Sequence, residues 1–159
     1  MTKRRMTVGR IEAICISTKK GTVKRPVEEA VLIEDFGIEG DAHAGKWHRQ
    51  VSVLGYEKIK DFNDQGGQVT DGDFGENLIV SGIDMECLAV GDRLLSGAVV
   101  LEVTQRGKEC HSHCEIYKRV GKCIMPTEGI FLRVIHGGIL HRNDRISKLP
   151  EEETACHTE

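Results

Sequence analysis

The sequence predicts a mainly β domain, a compact barrel-like fold of short strands with one or two short helices. Three observations lead to this fold class. The 159-residue chain contains 18 glycines, which suit tight turns, and only 4% aromatic residues, so Val, Ile and Leu must build the core. Short apolar stretches follow one another with turn residues at close spacing, a pattern typical of barrels. A chain of this length forms one domain.

The apolar stretches predict the elements in chain order. We expect strands over residues 9–17, 27–33, 51–54, 78–80, 93–95, 98–103, 129–135 and 139–146. In the first strand, Ile11, Ala13 and Cys15 are expected on one face, with Cys15 as a small buried hydrophobe. Residues 56–62 have charges spaced as in a short helix, with Ile59 and Phe62 facing inward. Glycine-rich residues 36–50 and 70–77 predict two long loops.

Charge and hydropathy exclude several classes of protein. A net charge of −3 and a pI of about 6.2 argue against broad binding to nucleic acid or membranes. No apolar run approaches the roughly 18–20 residues that span a bilayer, and no signal-peptide core follows the basic N-terminus. We therefore expect a cytoplasmic protein with its cysteines reduced. Residues 9–146 are expected to form the domain, with 1–8 and 147–159 as flexible tails.

Half of the six cysteines fall in one short segment. Cys110, Cys114 and Cys123 lie there with two histidines, and soft thiolates and imidazoles suit a soft metal or a transferable sulfur atom. Three interpretations stay open at this point: a structural zinc site, core cysteines, or a functional thiol. Gln105 and Lys108 precede the segment and can hydrogen-bond a charged ligand.

Two further loops carry polar side chains beside glycines. In GDAHAG, Gly40 is followed by Asp41 and His43, and then by His48, Arg49 and Gln50. Glycines expose backbone N–H groups, so the stretch indicates an anion-binding loop, with a tight surface turn as the alternative. In DGDFGEN, Asn77 is expected to form a second wall of the pocket, with a plain acidic turn as the alternative. The calcium-loop pattern is absent there.

These motifs, in this order, resemble the MOSC domain family, named for the C-terminal domain of the molybdenum cofactor sulfurases. The matching stretches are GIEGDAHAG at 37–45, HRQVSVL at 48–54, DFGENL at 73–78, LAVGDRL at 88–94, LEVTQRGKEC at 101–110 and CIMPTEGIFLRVIHGG at 123–138. The resemblance covers nearly the whole chain and looks most like the small stand-alone bacterial members. It implies a barrel-like fold and a role around the molybdenum cofactor.

The resemblance also implies ligand and residue roles. The expected cofactor is molybdopterin carrying molybdenum, with a tungsten form equally compatible. By register from Gln105, Cys110 matches the family's key cysteine, Cys114 is the close alternative, and Cys123 is a third metal-ligand candidate. The expected cofactor-binding residues are Gly40, Asp41, His43, His48, Arg49, Gln50, Asn77, Gln105 and Lys108.

The resemblance leaves the activity open between carriage and catalysis. No pyridoxal-phosphate-dependent desulfurase domain is present in this sequence, so pyridoxal phosphate is not expected, and sulfur must come from a separate donor or pass to a molybdoenzyme recipient. The leading hypothesis is a protein that carries cofactor or sulfur through a cysteine. The alternatives are a molybdopterin-dependent reductase of N-hydroxylated compounds and a non-catalytic zinc-stabilised β module.

Overall fold

The computed structural model describes residues 7–107 and 124–149, and it confirms the mainly β fold class. Two α-helices lie within these ranges, α1 (Tyr56–Asp64) and α2 (Met125–Glu128), together with a 3-10 turn at Met85–Cys87. The strands are β1 (Thr7–Ile16), β2 (Arg25–Val27), β3 (Glu29–Ile33), β4 (Gly37–Ile38), β5 (Val51–Gly55), β6 (Leu78–Ile83), β7 (Arg93–Ser96), β8 (Val99–Arg106), β9 (Ile130–His136), β10 (Gly138–His141) and β11 (Arg145–Lys148).

Seven strands form a closed barrel in the order β1, β6, β5, β9, β8, β7 and β11, and the pairing of β11 with β1 closes it. β5 and β6 run parallel, whereas the other neighbouring strands of the barrel are antiparallel. β2 pairs with the last residues of β1. β10, β3 and β4 form a separate small sheet. Closure leaves the barrel strands without open edges, which is how antiparallel folds of this size avoid edge-to-edge association.

Alternation along the strands divides the apolar side chains into two clusters. The first fills the barrel and extends under the small sheet; it includes Ile14, Val53, Leu78, Leu101 and Leu132. The second lies on the opposite face of several strands, beneath α1 and α2; it is formed by Ala13, Cys15, Leu54, Ile59, Val69, Phe74, Ile79, Met125 and Phe131. The second cluster supports the loop that precedes β6, through Val69 and Phe74.

The face assignment predicted for the first strand is wrong at Ile11. Ile11 belongs to the barrel interior with Ile14, whereas Ala13 and Cys15 belong to the outer cluster. The pairing of β1 with β6 shifts register between Ile11 and Ala13, because β1 carries an irregularity there. An extra residue in a strand reverses the alternation beyond it, so strict period-two counting fails. Cys15 is fully buried, as predicted.

Two predicted strands are each divided in the structure. The stretch 27–33 becomes β2 and β3, which belong to different sheets. The stretch 139–146 becomes β10 and β11, separated by a turn in which Asn143 has φ 76°. Asn tolerates this left-handed conformation better than most residues, and the turn carries the chain from the small sheet to the barrel.

The predicted helix is confirmed as α1, with Ile59 buried and Phe62 packed against the outer cluster. β1 begins at Thr7 and β11 extends to Lys148, so both strands reach beyond the expected limits of 9 and 146. No helix within the described ranges is long and apolar enough to cross a membrane.

Candidate functional site

A fully buried lysine, Lys24, joins the loop that follows β1 to the loop that follows β4. Lys24 Nζ lies 2.8 Å from Oδ1 of Asp41, and both side chains are 0% exposed. The same ammonium contacts Ser17 Oγ and His43 Nδ1, each at 3.0 Å. A buried ion pair is tolerated only where its remaining hydrogen bonds are made. Asp41 meets this condition, since its two oxygens accept the backbone N–H groups of Ser17 at 3.1 Å and His43 at 3.0 Å.

Gly40 and Asp41 determine how this loop turns. Gly40 has φ +86°, and a Cβ added there would meet nothing within 4 Å, so glycine is needed for its conformation and not for a close approach. The Asp41 N–H donates to the Ile38 carbonyl at 3.1 Å, and the Ala42 N–H donates to the Ser17 carbonyl at 2.8 Å. The loop after β4 is therefore fixed against the loop after β1 by backbone and side-chain bonds together.

Two cationic side chains lie over the ring of Trp47, and Trp47 also bonds to and stacks on His43. Its Nε1 donates to the His43 carbonyl at 2.7 Å, and the two rings stack with centroids 6.4 Å apart and planes 5° from parallel. Lys20 Nζ lies 4.6 Å and Arg49 Cζ 4.7 Å from the Trp47 ring centroid. Each is a cation–π contact, and together they concentrate positive charge beside His43.

One N–H group of the Arg49 guanidinium lacks a hydrogen-bond acceptor among the described residues. Its guanidinium also lies over Phe131, with Cζ 5.7 Å from that ring centroid. Among the described residues, the buried Nε of Arg49 has no hydrogen-bond partner. A buried, charged donor without an acceptor is costly, and such groups in native proteins point to an absent ligand or ion. An anion is the group that this donor fits.

His48 and Gln105 connect the same loop to the end of β8. His48 Nε2 lies 2.7 Å from Gln105 Oε1, and Gln105 Nε2 donates to the Gly107 carbonyl at 2.7 Å. The hydroxyl of Thr104 lies within hydrogen-bond distance of the carbonyls of His48 and Phe131 and donates its one proton to either of them. Two residues predicted from separate motifs, 57 positions apart in the chain, are thus in direct contact.

Gln50 and Asn77 lie inside the protein and bond to the fold. Gln50 Oε1 accepts the Val134 N–H at 2.9 Å, and its Nε2 donates to Asp35 Oδ1 at 3.1 Å. Asn77 Oδ1 accepts the Ser52 N–H at 2.9 Å, and its Nδ2 donates to the Cys15 carbonyl at 3.0 Å. Both side chains are 0% exposed. The structure therefore places both side chains in the interior, where neither reaches the protein surface.

The 70–77 loop reaches the site through its backbone. The Gly72 carbonyl accepts the Lys24 N–H at 2.8 Å. Within the loop, the buried carboxylate of Glu76 accepts the N–H groups of Gly72 at 2.9 Å and Phe74 at 3.0 Å. Burial raises the pKa of Glu76 to about 7, against the opposing effect of these hydrogen bonds. Glu76 therefore supports the loop on which Lys24 rests.

Four predicted site residues, Cys110, Cys114, Cys123 and Lys108, lie outside the described residues. The described chain ends beside Gln105 at Gly107, whose N–H donates to the Gly129 carbonyl at 2.7 Å, and it resumes at Ile124. Within 7–107 and 124–149, no group of three or more His, Cys, Asp or Glu side chains is arranged to hold a metal ion.

The described cysteines do not supply a reactive thiol. Burial, followed by the charges of Glu76 and Asp71, raises the pKa of the Cys15 thiol far above its ordinary value, so this thiol is inert. Cys87 is disulfide-bonded, and the expectation of reduced cysteines is therefore wrong for this residue.

Sequence reasoning missed four residues of the site: Lys24, its partner Ser17, Lys20 over the Trp47 ring, and Phe131 beneath Arg49. No motif or spacing distinguishes Lys24 among the 22 Lys and Arg residues of the chain. Its burial follows from the Asp41 carboxylate, which becomes its partner only after the loops fold together. An open cavity of about 560 Å³ adjoins this cluster and is lined in part by Ser17, Lys19, Arg25 and Gly40.

Comparisons with known proteins agree with this architecture. A family model for the MOSC domain matches residues 40–147. No curated protein has a sequence that matches the chain. Among solved structures, the YuaD protein from Bacillus subtilis is similar with a TM-score of 0.73 and 19% identity, covering 87% of this chain and 94% of that one. The YiiM protein from Geobacillus stearothermophilus is similar with a TM-score of 0.68 and 17% identity, covering 89% of this chain and 75% of that one.

The YiiM protein from Escherichia coli is similar too, with a TM-score of 0.63 and 19% identity, over 89% of this chain and 70% of that one. At these identities the likeness concerns the fold alone. It shows that this fold occurs in other proteins.

Proposed function

This chain belongs to the MOSC domain family, and on that premise we propose that it binds a molybdopterin cofactor carrying molybdenum or tungsten and transfers cofactor or sulfur through a cysteine. The family is associated with molybdenum cofactor binding. The proposal assigns cofactor recognition to the loops around Lys24 and Trp47, and it assigns the metal or sulfur to the cysteine segment that follows Gly107.

The observation that carries the proposal is the buried, unpartnered Nε of Arg49. This guanidinium shares the Trp47 ring with the ammonium of Lys20. Two cations on one ring repel each other, and an anion beside them relieves that repulsion while accepting from Arg49. The phosphate and dithiolene sulfurs of molybdopterin are anionic, so the donor set fits this cofactor.

The remaining residues have roles that follow from their contacts. His48 and Gln105 fix the end of β8 against the loop, and Gln50 and Asn77 act by holding the strands behind it. Lys108 and Cys110 follow Gln105 by three and five positions in the sequence, and Cys123 directly precedes Ile124. When bound, the cofactor supplies a metal–sulfur centre for redox or sulfur-accepting chemistry. The protein would bind and orient it. A thiolate of the segment would ligate the metal, or would take the outer sulfur of a donor persulfide and release the donor thiolate.

Native mass spectrometry with elemental analysis, on protein purified without oxygen, tests this proposal. We expect a pterin mass with molybdenum or tungsten, lost in Cys110→Ser while the circular dichroism spectrum is unchanged. Cys114→Ser is the matched variant; loss in it alone would assign the role to Cys114. Zinc alone, at one ion per chain, would refute cofactor carriage. If the protein is purified empty, the isolated cofactor is added and binding is measured directly.

An activity assay separates carriage from reduction. A carrier releases or passes on its load once, whereas a reductase of N-hydroxylated compounds turns over when an electron donor is supplied. We propose carriage as the function, and multiple turnovers with a chemical reductant would favour the reductase. A separate sulfur donor or a molybdoenzyme recipient is then the expected partner of a carrier.

A further inference from the structure

We propose that the open cavity of about 560 Å³ beside Lys24 binds a nucleotide, and that this nucleotide is joined to the phosphate of the cofactor. The protein then prefers a dinucleotide form of molybdopterin to the form that ends in a phosphate. The joining to the pterin rests on the proposed function, whereas the nucleotide site rests on the cavity's own walls. Every described lining residue except Gly40 precedes residues 40–147, the stretch that the family model matches.

The cavity lies between β2 and the loop that joins β2 to β1. Ile16, the last residue of β1, lines the cavity and pairs with Arg25, the first residue of β2. The hydroxyl of Ser17 donates to the Lys19 carbonyl at 2.9 Å, and the hydroxyl of Thr22 lies 3.0 Å from the same oxygen. These bonds fix the turn of the loop. The walls are therefore in place before a ligand binds, so binding does not have to order them.

Part of the wall is apolar. Ile16, Val23 and Val27 are half-buried side chains that line the cavity, and Pro26 lines it with them. Pockets for small organic ligands have volumes of roughly 300–1,000 Å³ and mostly apolar walls. The volume of about 560 Å³ is in this range. The flat face of a nucleobase would cover such a wall, whereas an inorganic anion alone would leave it in contact with water.

The same cavity carries positive charge. Lys19 and Arg25 line it, and none of its described lining residues is acidic. Neither cation has an ion-pair partner in the described part of the chain. The exposed cations Arg10, Lys60 and Arg142, by contrast, each pair with a carboxylate. The ligand that fits two unpaired cations is an anion.

A nucleotide combines the two properties that these walls require. Its base offers a flat apolar surface to Val23 and Pro26, and its phosphate accepts hydrogen bonds from Lys19 and Arg25. The planar guanidinium of an arginine suits a phosphate because it can donate two parallel hydrogen bonds. The hydroxyl of Thr18, which also lines the cavity, can bond to the ribose or to a base edge.

The cavity borders the anion site at Trp47. Lys19 lines the cavity, and the ammonium of the next residue, Lys20, lies 4.6 Å from the centroid of the Trp47 ring, over which Arg49 also lies. Consecutive Cα atoms are about 3.8 Å apart, so the two sites adjoin each other. A pyrophosphate spans this border, with one phosphate at Lys20 and Arg49 and the other at Lys19. The pterin and the nucleotide then lie on opposite sides of it.

Calorimetric titration of the whole protein with two forms of isolated molybdopterin cofactor, the phosphate-ended form and the dinucleotide form, tests the preference. We expect the dinucleotide form to bind the wild type roughly tenfold more tightly, the effect of about one added hydrogen bond to a charged group. The double variant Lys19→Gln, Arg25→Gln should bind both forms equally. Its circular dichroism spectrum should be unchanged, because both side chains are exposed.

Arg145→Gln is the matched control, because Arg145 is another exposed arginine that begins a short strand, β11. Arg145 pairs with Arg10 of β1, whereas the cavity adjoins Ile16 at the other end of that strand. At the rise of a β-strand, Arg10 and Ile16 are about 20 Å apart. The control variant should therefore keep the full preference for the dinucleotide form.

Equal affinity of the wild type for the two cofactor forms overturns the inference, and so does a preference that persists in the folded double variant. Guanosine and cytidine monophosphates, titrated into cofactor-free protein and followed by amide NMR shifts, test the cavity without the pterin. We expect shifts at residues 16–27 in the wild type and their loss in the double variant. Absence of binding by both nucleotides overturns the nucleotide site. If neither cofactor form binds while a monophosphate does, the proposed function is refuted and the nucleotide site stands.

Discussion

The guanidinium carbon of Arg49 lies 4.7 Å from the centroid of the Trp47 ring, while Nε of the same guanidinium is buried without a partner among the described residues. The aromatic ring stabilises the cation but cannot accept its N–H bonds in the ring plane. The contact therefore holds Arg49 in position and leaves a directional donor for a ligand. Trp47 is the only tryptophan of the chain, so its fluorescence reports on this pair.

We expect Arg49→Ala to weaken binding of the molybdenum cofactor roughly ten- to hundredfold, the effect of losing a hydrogen bond to a charged group. Arg49→Lys keeps the charge but loses the planar donor and should recover only part of the affinity. The measurement is a titration with isolated cofactor, followed by the fluorescence of Trp47.

Arg142→Ala is the control for this prediction. Arg142 is half exposed and pairs with Glu28 at 3.5 Å, whereas the cations over the Trp47 ring are Lys20 and Arg49. The Arg142→Ala substitution removes the same charge from the protein as Arg49→Ala. An equal loss of affinity in both variants would therefore mean that net charge, and not the Arg49 contact, attracts the cofactor. Unchanged affinity in Arg49→Ala would remove that residue from the site.

Asn77→Ala should destabilise the barrel rather than disturb ligand contacts. The Asn77 side chain joins β5 to β1 by accepting from Ser52 N–H and donating to the Cys15 carbonyl, both in the interior. Its loss leaves two buried backbone groups unpaired, at a cost of about 2–4 kcal/mol in the free energy of unfolding. Urea denaturation measures this, with Asn63→Ala as control.

Asn63 also bonds one backbone N–H and one carbonyl, both of Val69, but it lies half-buried in the last turn of α1. Water can replace those bonds, so its variant should lose roughly 1 kcal/mol. Equal losses in the two asparagine variants would contradict the role given to Asn77. Cofactor affinity per folded molecule should be unchanged in both.

The sequence predicts the barrel well where one physical pattern acts alone. Apolar stretches of strand length identify β5, β7 and β9, and amphipathic spacing identifies α1. Prediction fails where a single residue alters the pattern. The irregularity between Ile11 and Ala13 reverses the faces of β1. The break at Glu28 sends β2 and β3 to different sheets, because pairing partners far along the chain decide sheet membership.

The candidate site was predictable only in part, for a related reason. Motifs identify Asp41, His43 and Arg49, since chemistry-bearing residues beside glycines are recognisable in sequence. Lys24 is not recognisable, because its significance comes from a partner 17 positions away. The buried positions of Gln50 and Asn77 likewise depend on tertiary contacts, which no spacing in the chain reveals.

The raised pKa of the Glu76 carboxyl group makes the free energy of unfolding depend on pH. Folding raises its pKa from 4.5 to about 7, chiefly through burial. Between these values the folded protein binds more protons than the unfolded chain, so its free energy of unfolding falls as pH rises through this window. By neutral pH the free energy of unfolding should have fallen by up to about 3 kcal/mol. Urea denaturation across this pH range should show the decline in the wild type and a flatter profile in Glu76→Gln.

Glu28→Gln is the matched control, because Glu28 is largely exposed. This variant should keep the wild-type decline between pH 4.5 and about 7. Glu76→Gln also loses one acceptor for the N–H groups of Gly72 and Phe74, which lowers its stability at every pH. The slope, and not the absolute value, is therefore the diagnostic quantity. An unchanged slope in Glu76→Gln would contradict the assignment.

Gly72 and Gly40 form a natural pair for testing the contact between the 70–77 loop and Lys24. Both have positive φ, +89° and +86°, so alanine strains the backbone at either position by about 1–2 kcal/mol. A Cβ at Gly72 would lie 2.1 Å from the Lys24 carbonyl oxygen, whereas one at Gly40 would meet nothing within 4 Å. Gly72→Ala must therefore push the loop away from Lys24.

Urea denaturation measures the free energy of unfolding of both variants. We expect Gly40→Ala to lose only the roughly 1–2 kcal/mol of backbone strain. Gly72→Ala should lose roughly 2 kcal/mol more, because a clash with main-chain atoms cannot be relieved by rotating a side chain. Displacement of Lys24 should also weaken its ion pair with Asp41. Equal stability losses in the two variants would show that the 70–77 loop does not position Lys24.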